Sequence, residues 1–403
     1  MLNLRRVLSY APVASTYFLF FTILFTACDN GKNPSGSDHE GQYEAPVQRD
    51  DGWSTAAPSS VGMDDRLLFD MLDMVENTEN HRIHSLLIVK DGHLVFEEYY
   101  DGDKFNLAQF TGERGFSIDD THNLCSVTKS ITSALVGIAL DKGYIQSIDQ
   151  KVFEFFPGYS SLFETAPEKR ALTLRHLLMM TSGIDWDDES TSYFDGRNDM
   201  NQLFNSRDPI QYILSKDMKH TPGTVFDYAN CNTNLLGEII YKASDWRLDV
   251  FSRRYLFSKL GITDFEWQKL PDGVIFCSGD LRLRPRDMAK IGSLFLNGGT
   301  WNGEQLISKE WIDISTVNHT PPAMLGNNFT WADGYSFHWW VWEKVLNEEF
   351  NAYFASGWGG QYIIICPEMN MVVVTTAGNY YTETKISIEY LLANYVIPSV
   401  RQE

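Results

Sequence analysis

The segments that favour β-structure lie at the two ends of the folded part of the chain, with a long helical stretch between them. Residues 85–90 and 93–99 are two β-rich runs separated by Asp91-Gly92, the two-residue signal for a tight hairpin. Further strands are predicted near the C-terminus, at 337–342, 351–355, 362–366 and 371–376. This order of elements predicts one antiparallel sheet assembled from both ends of the chain.

Helical patterns flank these strands and fill the middle. They cover residues 63–76 and 383–395 at the two ends, and 126–140, 173–180, 208 onward, 233–241, 248–260 and 285–297 between them. The predicted fold class is therefore α/β (α+β): an antiparallel sheet flanked by N- and C-terminal helices, with an inserted all-helical domain. We place the α/β domain at 53–120 and 275–403 and the helical domain at 121–274. The cleft between them is the expected small-molecule site.

Composition supports a folded, non-nucleic-acid-binding protein. Hydrophobic residues make up 43% of the 403 residues, which is enough to bury a real core. The formal net charge is −20, and no block of lysines or arginines interrupts it, so a phosphate backbone would be repelled. Nucleic acid is excluded as a partner on this ground.

The N-terminus resembles an export signal. Arg5 and Arg6 precede an apolar run over residues 14–27, which is shorter than the about 20 residues that a membrane-spanning helix needs. We predict a signal peptide at 1–27. The run ends in Phe25-Thr26-Ala27-Cys28, which resembles the lipobox of bacterial lipoproteins, with Phe25 in place of the usual leucine-like residue.

This resemblance implies acylation of Cys28 and a lipid anchor on the outer side of a bacterial membrane, hence a cell-envelope location, periplasmic or on the outer surface. The alternative is an ordinary cleaved signal with an incidental cysteine. Residues 28–52 are polar and have no apolar period, which is typical of a flexible tether, so the folded part is expected to start near Trp53.

The first candidate catalytic motif is Ser126-Val127-Thr128-Lys129, the only Ser-x-x-Lys in the chain. Residues i and i+3 share a helix face, so the Lys129 amine can reach the Ser126 hydroxyl. A partly desolvated lysine with a lowered pKa can take the proton of a serine nucleophile, and a helix N-terminus favours the negative charge that develops. The alternative is an N-cap serine followed by a surface lysine.

The second motif, Tyr228-Ala229-Asn230, is the only Tyr-x-Asn. A tyrosine near a lysine can relay a proton to a leaving group, and an asparagine amide can orient lysine and substrate. The alternative is a core tyrosine with Asn230 capping the next helix.

The third motif is residues 355–361, Ala-Ser-Gly-Trp-Gly-Gly-Gln, between two predicted strands. Its glycines allow close backbone approach to a ligand, and a strand edge can offer an N–H to an oxyanion. The alternative is a glycine-rich hairpin loop.

These three motifs in this order resemble the serine β-lactamase and penicillin-binding-protein superfamily, in its class-C-like branch with esterases, D-aminopeptidases and 6-aminohexanoate-dimer hydrolases. Residues 87–92, 172–183 and 285–292 are also similar to that family, so the resemblance covers about residue 53 to the end and implies a β-lactamase/transpeptidase-like fold. It further implies Ser126 as the acylated nucleophile, Lys129 as its base and Tyr228 as the acid/base partner. Asn230, Ser356, Gly357 and Trp358 would bind substrate or oxyanion, with the N–H groups of Ser126 and Trp358 forming the oxyanion hole.

One departure from the family's third motif narrows the predicted function. Family members that act on β-lactams or peptides usually carry Lys-Thr-Gly or His-Thr-Gly at the third motif, and here Ala355-Ser356-Gly357 supplies no cation. We therefore expect a serine hydrolase that cleaves a small ester or amide through an acyl-enzyme on Ser126. The alternatives are a penicillin-recognising enzyme, β-lactamase or D-Ala-D-Ala carboxypeptidase-like, and a catalytically silent cell-envelope binding module.

Other signals are weaker. No Gly-x-Ser-x-Gly or His-Glu-x-x-His is present, and we expect no metal and no cofactor. His176 is interpreted as a helix-packing residue, and the acidic run 185–189 either attracts a cationic substrate end or is merely solvated. Cys125 and Cys231 are expected to be buried thiols rather than a disulfide. The sequence does not indicate the oligomeric state.

Overall fold

A computed structural model describes residues 43–106, 109–188, 190–320, 322–326, 329–343, 345, 350–380 and 384–400. The predicted signal peptide, the acylation site Cys28 and tether residues 28–42 lie outside the described residues. Within the described ranges, no helix is both long and apolar enough to cross a membrane.

The strands in chain order are β1 (Ser54–Thr55), β2 (Ile83–Lys90), β3 (His93–Tyr99), β4 (Asp101–Asn106), β5 (Gln109–Gly115), β6 (His122–Asn123), β7 (Arg282–Leu283), β8 (Thr300–Trp301), β9 (Glu304–Gln305), β10 (Gly334–Tyr335), β11 (Trp340–Trp342), β12 (Ala352–Gly357), β13 (Gln361–Cys366) and β14 (Met371–Ala377). Eight of them form one sheet in the order β1-β3-β2-β14-β13-β12-β11-β10. The remaining strands form three two-stranded pairs, β4-β5, β6-β7 and β8-β9.

The sheet is assembled from both ends of the chain, as predicted. The N-terminal hairpin strand β2 pairs antiparallel with the C-terminal strand β14, with Val89 opposite Val372. Every pair in this sheet is antiparallel except β1 with β3. The motif 355–361 lies on β12, on its turn and on the first residue of β13, so the third motif belongs to this same sheet.

The helices are α1 (Asp65–Glu76), α2 (Val127–Asp141), α3 (Ser160–Glu164), α4 (Leu174–Leu178), α5 (Asp199–Asn205), α6 (Pro209–Ser215), α7 (Asn230–Ser244), α8 (Leu248–Ser252), α9 (Pro285–Leu296), α10 (Lys309–Thr316), α11 (Pro322–Leu325), α12 (Ile388–Leu391) and α13 (Ile397–Ser399). Wider helical turns continue α8 over Arg253–Phe257 and join α12 to α13 over Leu392–Val396. Short 3₁₀ helices occupy Pro58–Val61, Val152–Phe155, Pro157–Tyr159, Pro167–Ala171, Pro271–Gly273 and Pro367–Met369.

Two helical layers cover the sheet because successive strand residues point to opposite faces. On β2, Leu87 and Val89 pack in the core with α9, α2 and α7, whereas Leu86 and Ile88 pack with α1 and the C-terminal helices. Helix α9 lies close to the strands at Gly292, where an added Cβ would come within 2.5 Å of the Val372 side chain. The apolar runs on β2 and β14 follow from burial on both faces.

Helix α2 is buried along nearly its whole length and packs against α7. Its apolar residues share one core with the sheet face under α9. A helix surrounded by protein on all sides is held rigidly. The first turn of α2, which carries the Ser-x-x-Lys motif, is therefore fixed relative to β12.

Several predicted boundaries differ from the structure. The strand predicted from 337 starts at Trp340, because His338 has a positive φ of 65° and ends a tight turn. The helix predicted from 233 starts at Asn230, and the closing helix predicted from 383 starts at Ile388. Tyr43 stacks on Phe96 and exchanges hydrogen bonds with the Glu97 backbone, so the folded part extends beyond Trp53 toward the N-terminus.

Candidate active site

Ser126 lies at the N-cap position of α2, where the chain enters the buried helix. The preceding residue, Cys125, has a positive φ of 46°, and its N–H donates to the Asn123 side chain at 2.8 Å. A non-glycine residue with a positive φ is uncommon, and its surroundings must hold it in that conformation. Ser126 is half-buried at this turn, while Lys129, one helical turn further on, is fully buried.

The Lys129 amine contacts the serine hydroxyl directly. Its Nζ donates to Ser126 Oγ at 2.9 Å and to the Ser278 carbonyl oxygen at 2.7 Å. Burial lowers the pKa of Lys129 from 10.5 to about 8, although the nearby Asp188 carboxylate opposes this shift. At neutral pH a usable fraction of the amine is therefore unprotonated and able to accept a proton.

Tyr228 lies over the same amine. Lys129 Nζ is 4.9 Å from the centroid of the Tyr228 ring. The ring is stacked on Trp340, with centroids 5.6 Å apart, and lies edge-on to Tyr335. The structure therefore brings together Ser126, Lys129 and Tyr228, which are far apart in the sequence.

Asn230 is the first residue of α7 and is buried. Its side-chain Nδ2 donates to Asp188 Oδ2 at 2.6 Å, and its backbone N–H donates to the same oxygen at 3.0 Å. The helix N-cap is Ala229, which has no capping side chain. The Asn230 amide group is thus held by a carboxylate behind the site, two residues after Tyr228.

The third motif lies next to the nucleophile. On the side facing β11, the pairing of β12 ends at Phe354, whereas Ala355, Ser356 and Gly357 continue to pair with β13. A Cβ added at Gly357 would lie 2.3 Å from the Leu124 carbonyl oxygen, so only glycine permits this approach. The end of β12 is therefore packed against the residues that precede Ser126.

Trp358 follows at the turn, and its side chain is 37% exposed. Its ring lies edge-on to Tyr380, with centroids 5.2 Å apart, and 5.9 Å from the ring of Tyr193 in the helical region. Gln361 holds this turn: its Nε2 donates to the carbonyls of Trp358 and Ala377. Aromatic rings from both parts of the chain thus meet at the turn that follows β12.

The sequence reasoning missed two residues that hold Lys129 in place. Ser278 accepts from Lys129 through its backbone carbonyl, which no side-chain motif can indicate. Asn234 holds the Ser278 segment, since its Nδ2 donates to Ser278 Oγ at 3.1 Å and its Oδ1 accepts from the Cys277 N–H. The signal was present in the run of buried asparagines, residues 230, 232 and 234, at the start of a mostly buried helix.

Asp188 was also underestimated, because its acidic run was interpreted as a cleft lining or a solvated loop. The Asp188 side chain is buried, and its Oδ2 accepts from Trp186 Nε1 as well as from Asn230. By contrast, His176 fits the predicted packing role, because it forms a reciprocal capping pair with Thr173 at the start of α4.

The remaining candidates carry no evident chemistry. The described cysteines, residues 125, 231, 277 and 366, are free thiols, as expected. Burial raises the pKa of Cys125 to about 12, so its thiol stays protonated although it neighbours Ser126. Over the described ranges, no three histidine, cysteine, aspartate or glutamate side chains cluster in a way that could hold a metal ion.

Comparison with known proteins identifies the family of the chain. The profile of the Beta-lactamase family matches residues 75–394. The chain belongs to this family. It is 27% identical over 346 residues to the 6-aminohexanoate-dimer hydrolase of Paenarthrobacter ureafaciens, covering 82% of this chain and 81% of that one.

Solved structures show the same fold. A putative 6-aminohexanoate-dimer hydrolase from Bacillus anthracis superposes with a TM-score of 0.64 at 21% identity, covering 91% of this chain and 90% of that chain. A family VIII carboxylesterase superposes with a TM-score of 0.63 at 17% identity, covering 82% and 96%. The predicted superfamily and fold are thus confirmed, and the family supports a hydrolase acting on a small molecule.

Proposed function

We propose that the chain is a serine hydrolase that cleaves a small ester or amide through an acyl-enzyme on Ser126. The observation that carries this proposal is the 2.9 Å contact between a buried Lys129 amine and the Ser126 hydroxyl. A buried lysine that is hydrogen-bonded to uncharged oxygens, with its pKa lowered to about 8 by burial, is suited to act as a general base. Surface lysines that merely follow an N-cap serine would not be buried in this way.

In the proposed reaction, neutral Lys129 takes the Ser126 hydroxyl proton as Oγ bonds to the substrate carbonyl carbon. The backbone N–H groups of Ser126 and Trp358 would stabilise the oxyanion, since charge develops beside a helix N-terminus and a strand end. Tyr228, over the Lys129 amine, would pass the proton to the leaving oxygen or nitrogen as its bond to the carbonyl breaks. Water then releases the acyl group by the reverse proton path.

The third motif supports esters or amides over β-lactams. Ala355 on β12 stands where penicillin-recognising relatives usually carry a cation, so this strand offers no charge to hold a substrate carboxylate. The names of the similar proteins, a 6-aminohexanoate-dimer hydrolase and a carboxylesterase, fit the same choice. The exposed rings of Trp358 and Tyr193 favour a substrate with apolar surface next to the scissile bond.

The test is active-site labelling of the purified protein. A fluorophosphonate should add covalently to the wild type, seen by intact mass, and short nitrophenyl esters and linear amides should be hydrolysed. Ser126→Ala should lose both labelling and turnover. Ser133→Ala is the matched control, because this serine is buried on the same helix and its hydroxyl has no hydrogen-bond partner. Labelling of Ser126→Ala equal to that of the wild type would overturn the assignment.

We further propose that the protein is an exported lipoprotein anchored through Cys28. The support is the Phe25-Thr26-Ala27-Cys28 sequence after a short apolar run. Metabolic labelling of a bacterial host with an alkyne fatty acid should tag the full-length chain and not Cys28→Ala. Release of the unlabelled Cys28→Ala protein into the soluble envelope fraction is also expected, and equal tagging of the two would contradict the proposal.

A further inference from the structure

Asp188 is a buried carboxylate directly behind the catalytic groups. It lies in the segment between α4 and α5 and is only 5% exposed. One of its oxygens, Oδ2, accepts three hydrogen bonds: from Trp186 Nε1 at 2.9 Å, from the Asn230 N–H at 3.0 Å and from Asn230 Nδ2 at 2.6 Å. Burial raises the pKa of Asp188 above its ordinary value, and the three hydrogen bonds oppose this shift by favouring the charged form.

The neighbouring acids of the same run are held differently. Asp187 is exposed, and its carboxylate accepts from the backbone N–H and side chain of Ser190. Asp185 is also exposed, and its N–H donates to the Asp217 carbonyl. Of the described acids 185, 187 and 188, only Asp188 is turned inward to the start of α7.

Through Asn230, Asp188 fixes the segment that carries Tyr228. The backbone is tied on both sides of this tyrosine, by the Asp227 N–H to the Met180 carbonyl at 2.8 Å and by the two bonds from Asn230 to Asp188. These ties set the height of the Tyr228 ring over the Lys129 amine. A change at residue 188 would therefore be transmitted to a ring that lies 4.9 Å from Nζ.

Asp188 also acts on Lys129 through its charge. Among the carboxylates around this amine, Asp188 favours its protonated form most strongly, ahead of Asp280. On another side lies the buried imidazole of His338, whose pKa is lowered to about 3, so it is neutral near pH 7. The burial of Lys129 and the charge of Asp188 thus pull its pKa in opposite directions.

We propose that Asp188 is a positioning residue of the reaction. Through Asn230 it holds the Tyr228 ring in place beside the Lys129 amine, and its carboxylate supplies the negative charge that balances the positive charge of protonated Lys129. This inference rests on the proposed function of Ser126. It gives Asp188 a role beside the catalytic groups, whereas the sequence suggested that the acidic run 185–189 binds a substrate or faces solvent.

The test is the pH dependence of kcat/KM for a neutral ester, measured for Asp188→Asn and for Asp187→Asn as the matched control. Removing the Asp188 charge disfavours protonated Lys129, so the acidic limb, near pH 8 in the wild type, should move to lower pH by about 0.5 to 1 unit. The maximal kcat should fall about 10- to 100-fold, because the Tyr228 ring is no longer held in place beside the Lys129 amine. Asp187→Asn should leave both quantities unchanged.

A merely structural role would lower the melting temperature and leave the acidic limb in place, and that result would overturn the inference. If Asp188→Asn does not fold, Asp188→Ser is measured in its place. This variant keeps a hydroxyl acceptor for Asn230, and the same shift of the acidic limb is expected. Failure of both to fold, beside a stable Asp187→Asn, would assign Asp188 to stability alone and also overturn it. The proposed function fails separately, if Ser126→Ala keeps wild-type activity.

Discussion

Two buried lysines of this protein have nearly the same local geometry and different surroundings. Lys129 on α2 and Lys290 on α9 are each 1% exposed. Each follows a polar residue by three positions near the start of its helix, and each amine donates to that residue, at 2.9 Å to Ser126 and at 2.8 Å to Asp287. The i,i+3 spacing is therefore shared, and only the chemistry of the partner differs.

The partner decides what the lysine can do. Lys290 is paired with a carboxylate that is itself buried, so its charge is balanced within the core. Lys129 is hydrogen-bonded to a hydroxyl and a carbonyl, which carry no charge, and burial lowers its pKa to about 8. The same spacing thus makes an ion pair on one helix and a candidate base on the other.

The largest expected effect is on the rate of Lys129→Met. Without the amine, Ser126 has no base, and kcat/KM for a short ester should fall by about 10⁴-fold, the upper end for general base catalysis. The melting temperature should stay within a few degrees, because Lys129 is hydrogen-bonded to uncharged oxygens and Asp188 keeps its hydrogen bonds from Trp186 and Asn230. Steady-state kinetics and thermal unfolding check this. Retention of more than a tenth of the activity would remove Lys129 from the mechanism.

Lys290→Met should give the opposite result. It leaves Asp287 buried without its partner, so the free energy of unfolding should drop by about 3 to 5 kcal/mol, while kcat per folded molecule stays within a few-fold of the wild type. Denaturant unfolding measures the loss. The double variant Asp287→Leu with Lys290→Met should recover most of it, and failure to recover would mean that packing rather than charge dominates at this pair.

The sequence predicted the features that depend on local geometry. Asp91-Gly92 marks a hairpin because a tight two-residue turn requires its backbone conformation, and Ser126 with Lys129 marks a shared helix face because 3.6 residues complete a turn. The pairing of β2 with β14 followed from the order of the elements. The structure contains these predicted features because tertiary contacts reinforce the local preference.

Other features arise only from tertiary contacts. The Ser278 carbonyl that accepts from Lys129 is a backbone atom, and any residue could present it. Asp188 is chemically identical to Asp187 beside it, and only the packing of Trp186 and Asn230 turns it inward. The late start of β11 depends on the positive φ of His338, which is buried between Thr233 and Tyr335. None of these has a signature within a few residues of sequence.

The pH–rate profile tests whether Lys129, and not Lys290, acts as the base. Neutral Lys129 is the reactive form, so kcat/KM for an uncharged ester should fall about tenfold per unit as the pH drops below about 8, the pKa to which burial lowers this amine. Lys290→Arg, which keeps the charge next to Asp287, should leave the midpoint unchanged. A midpoint at pH 4 to 6 would instead implicate a carboxylate or an imidazole as the base.

The smallest effect on the rate is expected where the second pair is made to resemble the first. Asp287→Asn replaces the carboxylate beside Lys290 with a neutral amide, so the buried ammonium loses its counter-charge. The free energy of unfolding should drop by at most about 3 to 5 kcal/mol, while kcat per folded molecule stays within a few-fold of the wild type. Urea unfolding and steady-state kinetics measure the two quantities. A stability equal to that of the wild type would mean that the partner's charge is not what separates the two lysines.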